Sequence, residues 1–271
     1  MDSRSEKIAG AADSAEEEFD FSSFYDDFDP TLSDEAKAVL LQNLNIPKDQ
    51  LPSHVHSIRD KAWKLFKYPC IGGYGFLEFS IGKAPQYDKV LQRVKEGATL
   101  LDLGCCFGQD IRKLVHDGAP AEHLHGSELE QDFIDLGYEL FGDRESLKAT
   151  FSSGDFFAPG TAGLEGQSFD IIHAASFFHL FSWSEQVQAM TKAVFLLKLE
   201  SGSMIFGRQL TVTDPGPWKV KTARSGEMYR HSGETFKELV AEVAEKTGVQ
   251  LDVEVEAKPE EWTMRYCITR R

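Results

Sequence analysis

From about residue 98 onward the hydrophobic positions switch repeatedly between two rhythms. Short apolar runs of strand length alternate with stretches whose apolar residues recur every three to four positions. The runs predict strands over about 98–103, 123–127, 149–153, 169–175 and 203–210, with helices over 107–116, 130–141 and 184–198 between them. Strand-helix-strand order of this kind builds a parallel sheet with helical crossovers. One crossover is shortened, because Ala158 to Gln167 holds Pro159, Gly160, Gly163 and Gly166, too many breakers for a long helix. The tail adds a helix over 233–247, a strand over 250–256 and an alternating segment from Trp262 to Thr269 that would close the sheet antiparallel.

Two further helical patterns precede this core. One runs from Ser33 to Leu44 with Ala36, Leu40, Leu41 and Leu44 at helical spacing; the other runs from Ser53 to Phe66 with Val55, Ile58, Ala62, Leu65 and Phe66. Ser33 and Ser53 are plausible N-caps. The glycines and aromatics of Tyr68 to Leu77 suggest either a flexible segment lining a pocket or a simple connecting loop. The chain thus divides into an acidic tail over 1–18, an N-terminal helical lid over 19–95 and a core over 96–271. Residues 1–30 carry ten acids against two bases, which predicts disorder for the first part. Phe19, Phe21, Phe24, Tyr25 and Phe28 then interleave with the acids. Such a segment either packs as a lid, packs against a second copy in a homodimer, or is a tail without function.

The formal charge of −15 opposes nucleic acid and anionic lipid as partners, since phosphate contacts need clustered Lys and Arg. Cys70, Cys105, Cys106 and Cys267 form no C-x-x-C pair and have no histidine at zinc spacing. Reduced thiols and no metal are therefore expected. No apolar run approaches membrane-spanning length and no secretory signal is visible, so a cytoplasmic location is expected.

The most informative stretch is Leu100-Leu101-Asp102-Leu103-Gly104-Cys105-Cys106-Phe107-Gly108-Gln109-Asp110: an apolar strand, an acidic strand end, a glycine turn and a helix start. Glycine there lets the backbone approach a ligand, and free N–H groups of the new helix point at it. A dinucleotide fingerprint wants G-x-G-x-x-G, but Cys106 and Gln109 stand at two of its three glycine positions. The stretch is instead similar to the acidic-x-G-x-G-x-G loop of class I S-adenosylmethionine-dependent methyltransferases. Asp102, Gly104 and Gly108 match that pattern, and Cys106 replaces its middle glycine. An ordinary strand-to-helix turn is the alternative. Glu128, at the end of the next strand, is the expected ribose ligand with Leu129 beside it. Asp155 and Phe156, ending the third strand, match the family's acidic-aromatic pair, one for the adenine amino group and one for the ring. Each carboxylate alone could be a solvated surface acid; three at successive strand ends are harder to dismiss.

A narrower resemblance rests on Asp102 to Asp110 together with Leu136-Gly137-Tyr138-Glu139-Leu140-Phe141 and Tyr68-Pro69-Cys70-Ile71-Gly72. From about Ile58 to the C-terminus the chain resembles the small fungal methyltransferases of meroterpenoid and related secondary-metabolite pathways. The resemblance implies a Rossmann-like class I methyltransferase fold, with a mostly parallel seven-stranded sheet, helices on both faces and an N-terminal helical lid. It also implies S-adenosylmethionine as cofactor, no metal, and O-methylation of a small lipophilic acceptor, in several members at a carboxylic acid on a prenylated aromatic scaffold.

Methyl transfer from a sulfonium is an in-line displacement that needs positioning and no covalent enzyme intermediate. A carboxylate of pKa about 4 is already ionised at neutral pH, whereas a phenol of pKa about 10 usually needs a base. His179, just beyond the fourth strand, is the best base candidate, with a packed or acceptor-binding histidine as the alternative. Tyr74, Phe178 and Arg208 are expected on the acceptor, Arg208 through its planar fork unless it serves a structural salt bridge. His173 reads as a core or sheet-lining residue, and Met228 to His231 as a substrate-side loop with Ser232 capping the following helix. Twenty phenylalanines suit a lipophilic acceptor, although most belong to the core. Phenol or alcohol O-methylation by the same scaffold is the alternative function. A non-catalytic cofactor-binding interaction protein is the alternative from another class.

Overall fold

The computed structural model describes residue 25 and residues 30–159, 163–220 and 223–271. The expected acidic tail and most of the aromatic segment after it lie outside the described residues. The strand runs predicted above pair as one seven-stranded sheet in the order β3-β2-β1-β4-β5-β9-β8. Its strands are β1 (Leu100–Leu103), β2 (Leu124–Glu128), β3 (Thr150–Ser153), β4 (Ile171–His173), β5 (Met204–Gln209), β8 (Leu251–Lys258) and β9 (Thr263–Arg270). β1 to β5 pair in parallel and β9 runs antiparallel to both β5 and β8.

Successive residues of a strand point to opposite faces, and both faces of β1 are buried. Leu101 and Leu103 join one cluster with Val187, Met190, Leu239 and Val243, which lie on α7 (Trp183–Leu196) and α8 (Gly233–Thr247). Leu100 joins another with Val90 and Val94 of α4 (Tyr87–Lys95) and Ile111 and Leu114 of α5 (Gln109–His116). Burial on both faces is why β1 reads as a continuous apolar run. Helix α4 thus packs with the sheet, although it falls inside the segment expected to be lid.

A third cluster makes the N-terminal layer. α1 (Asp34–Leu40) and α2 (Leu51–Leu65) contribute Leu40, Val55, Ile58 and Ala62, and short α3 (Pro69–Gly72) contributes Ile71. They pack on Phe107 and on Phe133 and Phe141 of α6 (Gln131–Phe141). The layer is therefore built directly onto the loop that follows β1.

Several boundaries differ from the sequence reading for physical reasons. Ser33 caps α1 by accepting from the Ala36 N–H, and Ser232 caps α8 from Thr235. Ser53 is no cap: α2 already begins at Leu51 with Pro52 in its first turn, where a missing N–H costs nothing. α5 starts at Gln109 because Gly108 sits in the left-handed region. The region read as a loop before α8 contains a hairpin, β6 (Gly216–Lys219) and β7 (Glu227–Arg230). Among the described residues no helix is long and apolar enough to cross a membrane.

Candidate active site

The strand order reverses between β1 and β4, and ligands of open parallel sheets bind outside the carboxyl ends of strands at such a point. There the chain from Gly104 to Gly108 places alternate residues in the left-handed region, with φ of 73° at Gly104, 53° at Cys106 and 64° at Gly108. Cys106 holds this conformation without glycine's freedom. The Gly104 and Cys105 N–H groups donate to Ser127 O at 2.8 and 3.0 Å. Glu128 fixes the rest of the turn, its Oε2 accepting from the Cys106 N–H at 2.8 Å and its Oε1 from the Leu129 N–H at 2.7 Å. Burial pushes the Glu128 carboxyl upward, against the pull of those backbone donors. Leu129 itself is exposed.

Arg112 holds the loop from below. Its fork makes two bonds to the Asp143 carboxylate at 2.7 and 2.8 Å, and Nη1 donates to Phe107 O at 2.6 Å. Both partners are buried. The glycine in the Leu136-Gly137-Tyr138 run has its reason here: a Cβ at Gly137 would lie 2.2 Å from Phe107 O, so only glycine lets α6 approach the loop backbone. Tyr68 also reaches this site, since burial and then the charges of Glu128, Cys70 and Cys106 raise its hydroxyl pKa.

Asp102 is buried rather than exposed in the crevice. Its Oδ1 lies 2.8 Å from His173 Nδ1, and its Oδ2 has no partner among the described residues. The pairing follows from register, because Asp102 and His173 stand opposite each other on β1 and β4. Asp110 lies 4.0 Å from the same imidazole nitrogen and accepts from Ser80 Oγ and the Ile81 N–H. Burial disfavours charge on His173, but the hydrogen bond and charge of Asp102, with Asp110 beyond, outweigh it and raise its pKa. The ligand atoms of Asp102, Asp110 and His173 lie within 4.8 Å of one another, as metal ligands do. Their mutual bonds and the Ser80 and Ile81 donors already occupy most of those atoms.

Asp155 accepts from the Phe157 N–H at 2.9 Å and pairs with Arg224 at 2.7 Å. These partners lower its pKa in spite of its partial burial. Arg224 comes from the loop between β6 and β7 and also stacks on Phe157, 4.6 Å from its ring centre. Phe156 is almost fully buried and meets Phe177 edge-on at 5.7 Å. Phe177 covers Gly104, where a Cβ would lie 2.8 Å from its ring.

On the β4 and β5 side, Ser176 takes a φ of 53° and donates its N–H to Arg208 O at 2.6 Å. Three residues on, His179 is partly exposed, but its Nδ1 is buried with no partner among the described residues. Burial, then Arg230, Arg208 and His231, push its pKa down to about 3. Arg208 lies 3.6 Å from Glu78, with its Nε unpartnered. The other two residues expected on the acceptor sit elsewhere. The Phe178 ring is fully buried between Phe177 and Tyr266, so Phe177 is the ring left at the surface. Tyr74 is packed in the N-terminal layer, its hydroxyl 3.0 Å from His56 Nδ1 and its ring under the Arg59 guanidinium. A surface concavity of about 420 Å³ between α2 and α6, lined by Lys61, Leu65, Asp132 and Arg144 among others, shares no residue with these strand ends. No local pattern in the sequence marks Arg112 or Arg224, whereas Phe177 belongs to a phenylalanine pair and Arg230 to the Met228–His231 stretch read as a substrate-side loop.

Comparison with known proteins places this geometry. The meroterpenoid methyltransferase N-terminal domain matches residues 24–77, and a methyltransferase domain matches residues 100–200. The chain is 41% identical over 214 residues to O-methyltransferase phiE of a fungal species, covering 78% of this chain and 71% of that protein. It is 36% identical to methyltransferase ausD of Penicillium brasilianum, with 87% and 85% covered. It is 37% identical to the asnovolin E/chermesin D methyltransferase nvfJ of Aspergillus novofumigatus, with 82% and 81% covered. Among solved structures, the CurJ carbon methyltransferase shares the fold at a TM-score of 0.52 and 16% identity, over 87% of this chain and 67% of that one. With relatives this similar aligned over more than two thirds of both chains, the protein belongs to the fungal meroterpenoid methyltransferases, S-adenosylmethionine-dependent enzymes of the class I fold.

Proposed function

We propose that this enzyme methylates an oxygen of a small lipophilic, prenylated meroterpenoid intermediate, and that the oxygen belongs to a carboxylate. The observation that carries the choice is the environment of His179. A proton passed from a phenol of pKa about 10 to an imidazole pushed down to about 3 runs far uphill. A carboxylate arrives ionised, needs no base, and is drawn by Arg230 and Arg208, whose charges add to the burial that depresses His179. The names of the relatives, one an O-methyltransferase, support the class of reaction.

The cofactor residues fit S-adenosylmethionine, which when bound supplies an electrophilic methyl on a sulfonium. Asp102 Oδ2 is a buried acceptor without a donor, suited to an ammonium group. Glu128 spends one lone pair of each oxygen on a loop amide and keeps others for ribose hydroxyls. Asp155 and Phe156 would take the adenine, and the backbone of Gly104, Cys106 and Gly108 would let the ligand close in, with Leu129 as an apolar wall. The N-terminal layer would act as the lid, anchored through Phe107 and Tyr68. Holding nucleophile, methyl and sulfur in line is then the main contribution, on the order of 7–11 kcal/mol.

The test uses methyl-labelled S-adenosylmethionine and prenylated aromatic acids, one series with the carboxyl esterified and one with the phenols capped. Label should enter only free acids, and His179→Ala should lower kcat by less than about tenfold. The phenol reading draws on the unpartnered Nδ1 of His179. It requires label to survive esterification and His179→Ala to cost roughly 10²–10⁴-fold.

A further inference from the structure

In a protein of net charge −15, Arg230 is buried against an aromatic ring and away from any described carboxylate. Arg230, the last residue of β7, is only 8% exposed, and no carboxylate among the described residues lies within ion-pair distance of it. Its Nη1 is buried without a hydrogen-bond partner. Burying a charge this way costs several kcal/mol unless something compensates it. Burial pulls the group down to about 9, which leaves it cationic at neutral pH. The other buried arginines differ: Arg112 has the Asp143 carboxylate, Arg59 has Asp60 and the Gly72 carbonyl, and Arg270, with its Nε also unpartnered, still donates to the Val194 carbonyl at 3.4 Å.

The position of Arg230 is as informative as its isolation. β7 runs beside the turn that carries His179, fixed by the Tyr229 N–H on Phe181 O at 2.8 Å. On the other flank of that turn, Ser176 bonds to Arg208 O, and Arg208 too has an unpartnered buried nitrogen, Nε. The two arginines thus bracket the His179 turn. The hairpin register puts Trp218, Met228 and Arg230 on one face, where all three are at least half-buried. The Arg230 guanidinium lies over the Trp218 ring. A planar cation with free N–H groups, backed by an indole and a thioether, has the makeup of a site for an aromatic acid.

We propose that Arg230, with Arg208 across the His179 turn, forms the subsite that binds the carboxylate of the acceptor, and that the β6–β7 hairpin is the element that selects anionic acceptors. This rests on the carboxylate reading above and gives that reading a residue. Arg230 makes none of the hydrogen bonds of Asp102, Glu128 or Asp155, so it can be replaced without touching them; the hairpin's own link to that side is Arg224, which pairs with Asp155.

The first measurement is binding of a prenylated benzoate and of its carboxamide, by calorimetry, to the full chain saturated with S-adenosylhomocysteine. The wild type should bind the acid at least tenfold more tightly than the amide. Arg230→Met should bind the two alike, Arg230→Lys should recover part of the preference, and S-adenosylhomocysteine affinity should stay unchanged throughout. An acid preference that survives in Arg230→Met overturns the subsite. The second measurement is melting temperature without ligands. Removing an uncompensated buried charge should leave it equal or higher, whereas a fall of several degrees would make Arg230 structural and overturn the proposal. The two readings fail separately: label entering a phenol while Arg230 still governs acid binding defeats ester formation alone, and ester formation undisturbed in Arg230→Met defeats the subsite alone.

Discussion

The two halves of the crevice are built on opposite principles. At the ends of β1, β2 and β3 nearly every charged group has its partner: Glu128 two backbone amides, Arg112 the Asp143 carboxylate, Asp102 the His173 imidazole, Asp155 the Arg224 guanidinium. At the ends of β4 and β5 and along the hairpin, Arg230 and His179 have no ion-pair partner among the described residues and their Nη1 and Nδ1 are bare, as is Arg208 Nε beside its Glu78 pair; the first half leaves Asp102 Oδ2 bare. A buried polar group is ordinarily satisfied, because leaving it bare costs about 1–3 kcal/mol. The first half is a preformed cradle. The second leaves cationic groups unpaired, which costs stability and is the opening the proposed acceptor would fill.

The same divide governs what could be read from the sequence. The cradle is local: Asp102 to Gly108 is one strand and one turn, and Glu128 and Asp155 end the next two strands, so spacing alone finds them. What closes the cradle is not local. Asp102 and His173 are 71 residues apart and meet only through the register of β1 and β4. The other half depends on β6, where Pro217 and Gly216 hide a strand that sits in a two-stranded ribbon and can spare an N–H. A Phe177-Phe178 pair gives no phase, and a short helical turn rather than an alternating strand decides that Phe178 goes inward. The surroundings of Tyr74 are hidden for a related reason: glycines and aromatics suggest a pocket wall or a connecting loop, and the turns around Gly75–Glu78 fold its ring into the N-terminal layer.

The largest effect should come from breaking the satisfied half. Arg112→Met leaves Asp143 buried and unpaired and frees the Phe107 carbonyl, so chemical denaturation should show a loss of about 3–5 kcal/mol, with weaker cofactor binding as the loop loosens. Adding Asp143→Leu should return much of that stability, since replacing both members of a buried pair is often nearly neutral. If the double variant were as unstable as the single one, the loop carbonyl and not the ion pair would be the main contact.

The crevice also has a pH signature, because its buried and part-buried histidines shift in opposite directions according to whether a carboxylate faces them: His125, His179 and His231 go down and His173, paired with Asp102, goes up. Burial dominates at His231, which falls to about 4, and at His179, which falls to about 3. Their unfolded forms take up protons near pH 6.5 while the folded forms do not. Stability is therefore present above that value and is lost as pH falls toward 4 and then 3. At His173 the Asp102 partner overrides burial and the pKa is raised. Its contribution is fully present below about pH 6.5 and is lost as pH rises through the folded value. Each group contributes at most about 1.4 kcal/mol per pH unit. Denaturation across pH 4.5–9 should show His231→Gln flattening the acid limb and His173→Gln flattening the alkaline one. The same limb flattened by both variants would abolish the contrast between the carboxylate-paired and the unpaired histidine.

The smallest effect sharpens the boundary between them. Arg224 belongs to the hairpin loop yet pairs with Asp155 of the cradle, and with its side chain about half exposed the pair should be worth about 0.2–1 kcal/mol. Because Arg224 occupies the carboxylate expected to take the adenine, it competes with the cofactor instead of helping it. Arg224→Gln should then tighten S-adenosylmethionine binding by about 1.4- to fivefold, the range that this energy allows, with little change in melting temperature. Added salt should tighten binding by the wild type, since screening weakens the exposed pair, and should leave the variant unchanged. Weaker binding in Arg224→Gln would reverse the assignment. The guanidinium would then be a contact of the bound cofactor, and the hairpin would serve both halves of the crevice.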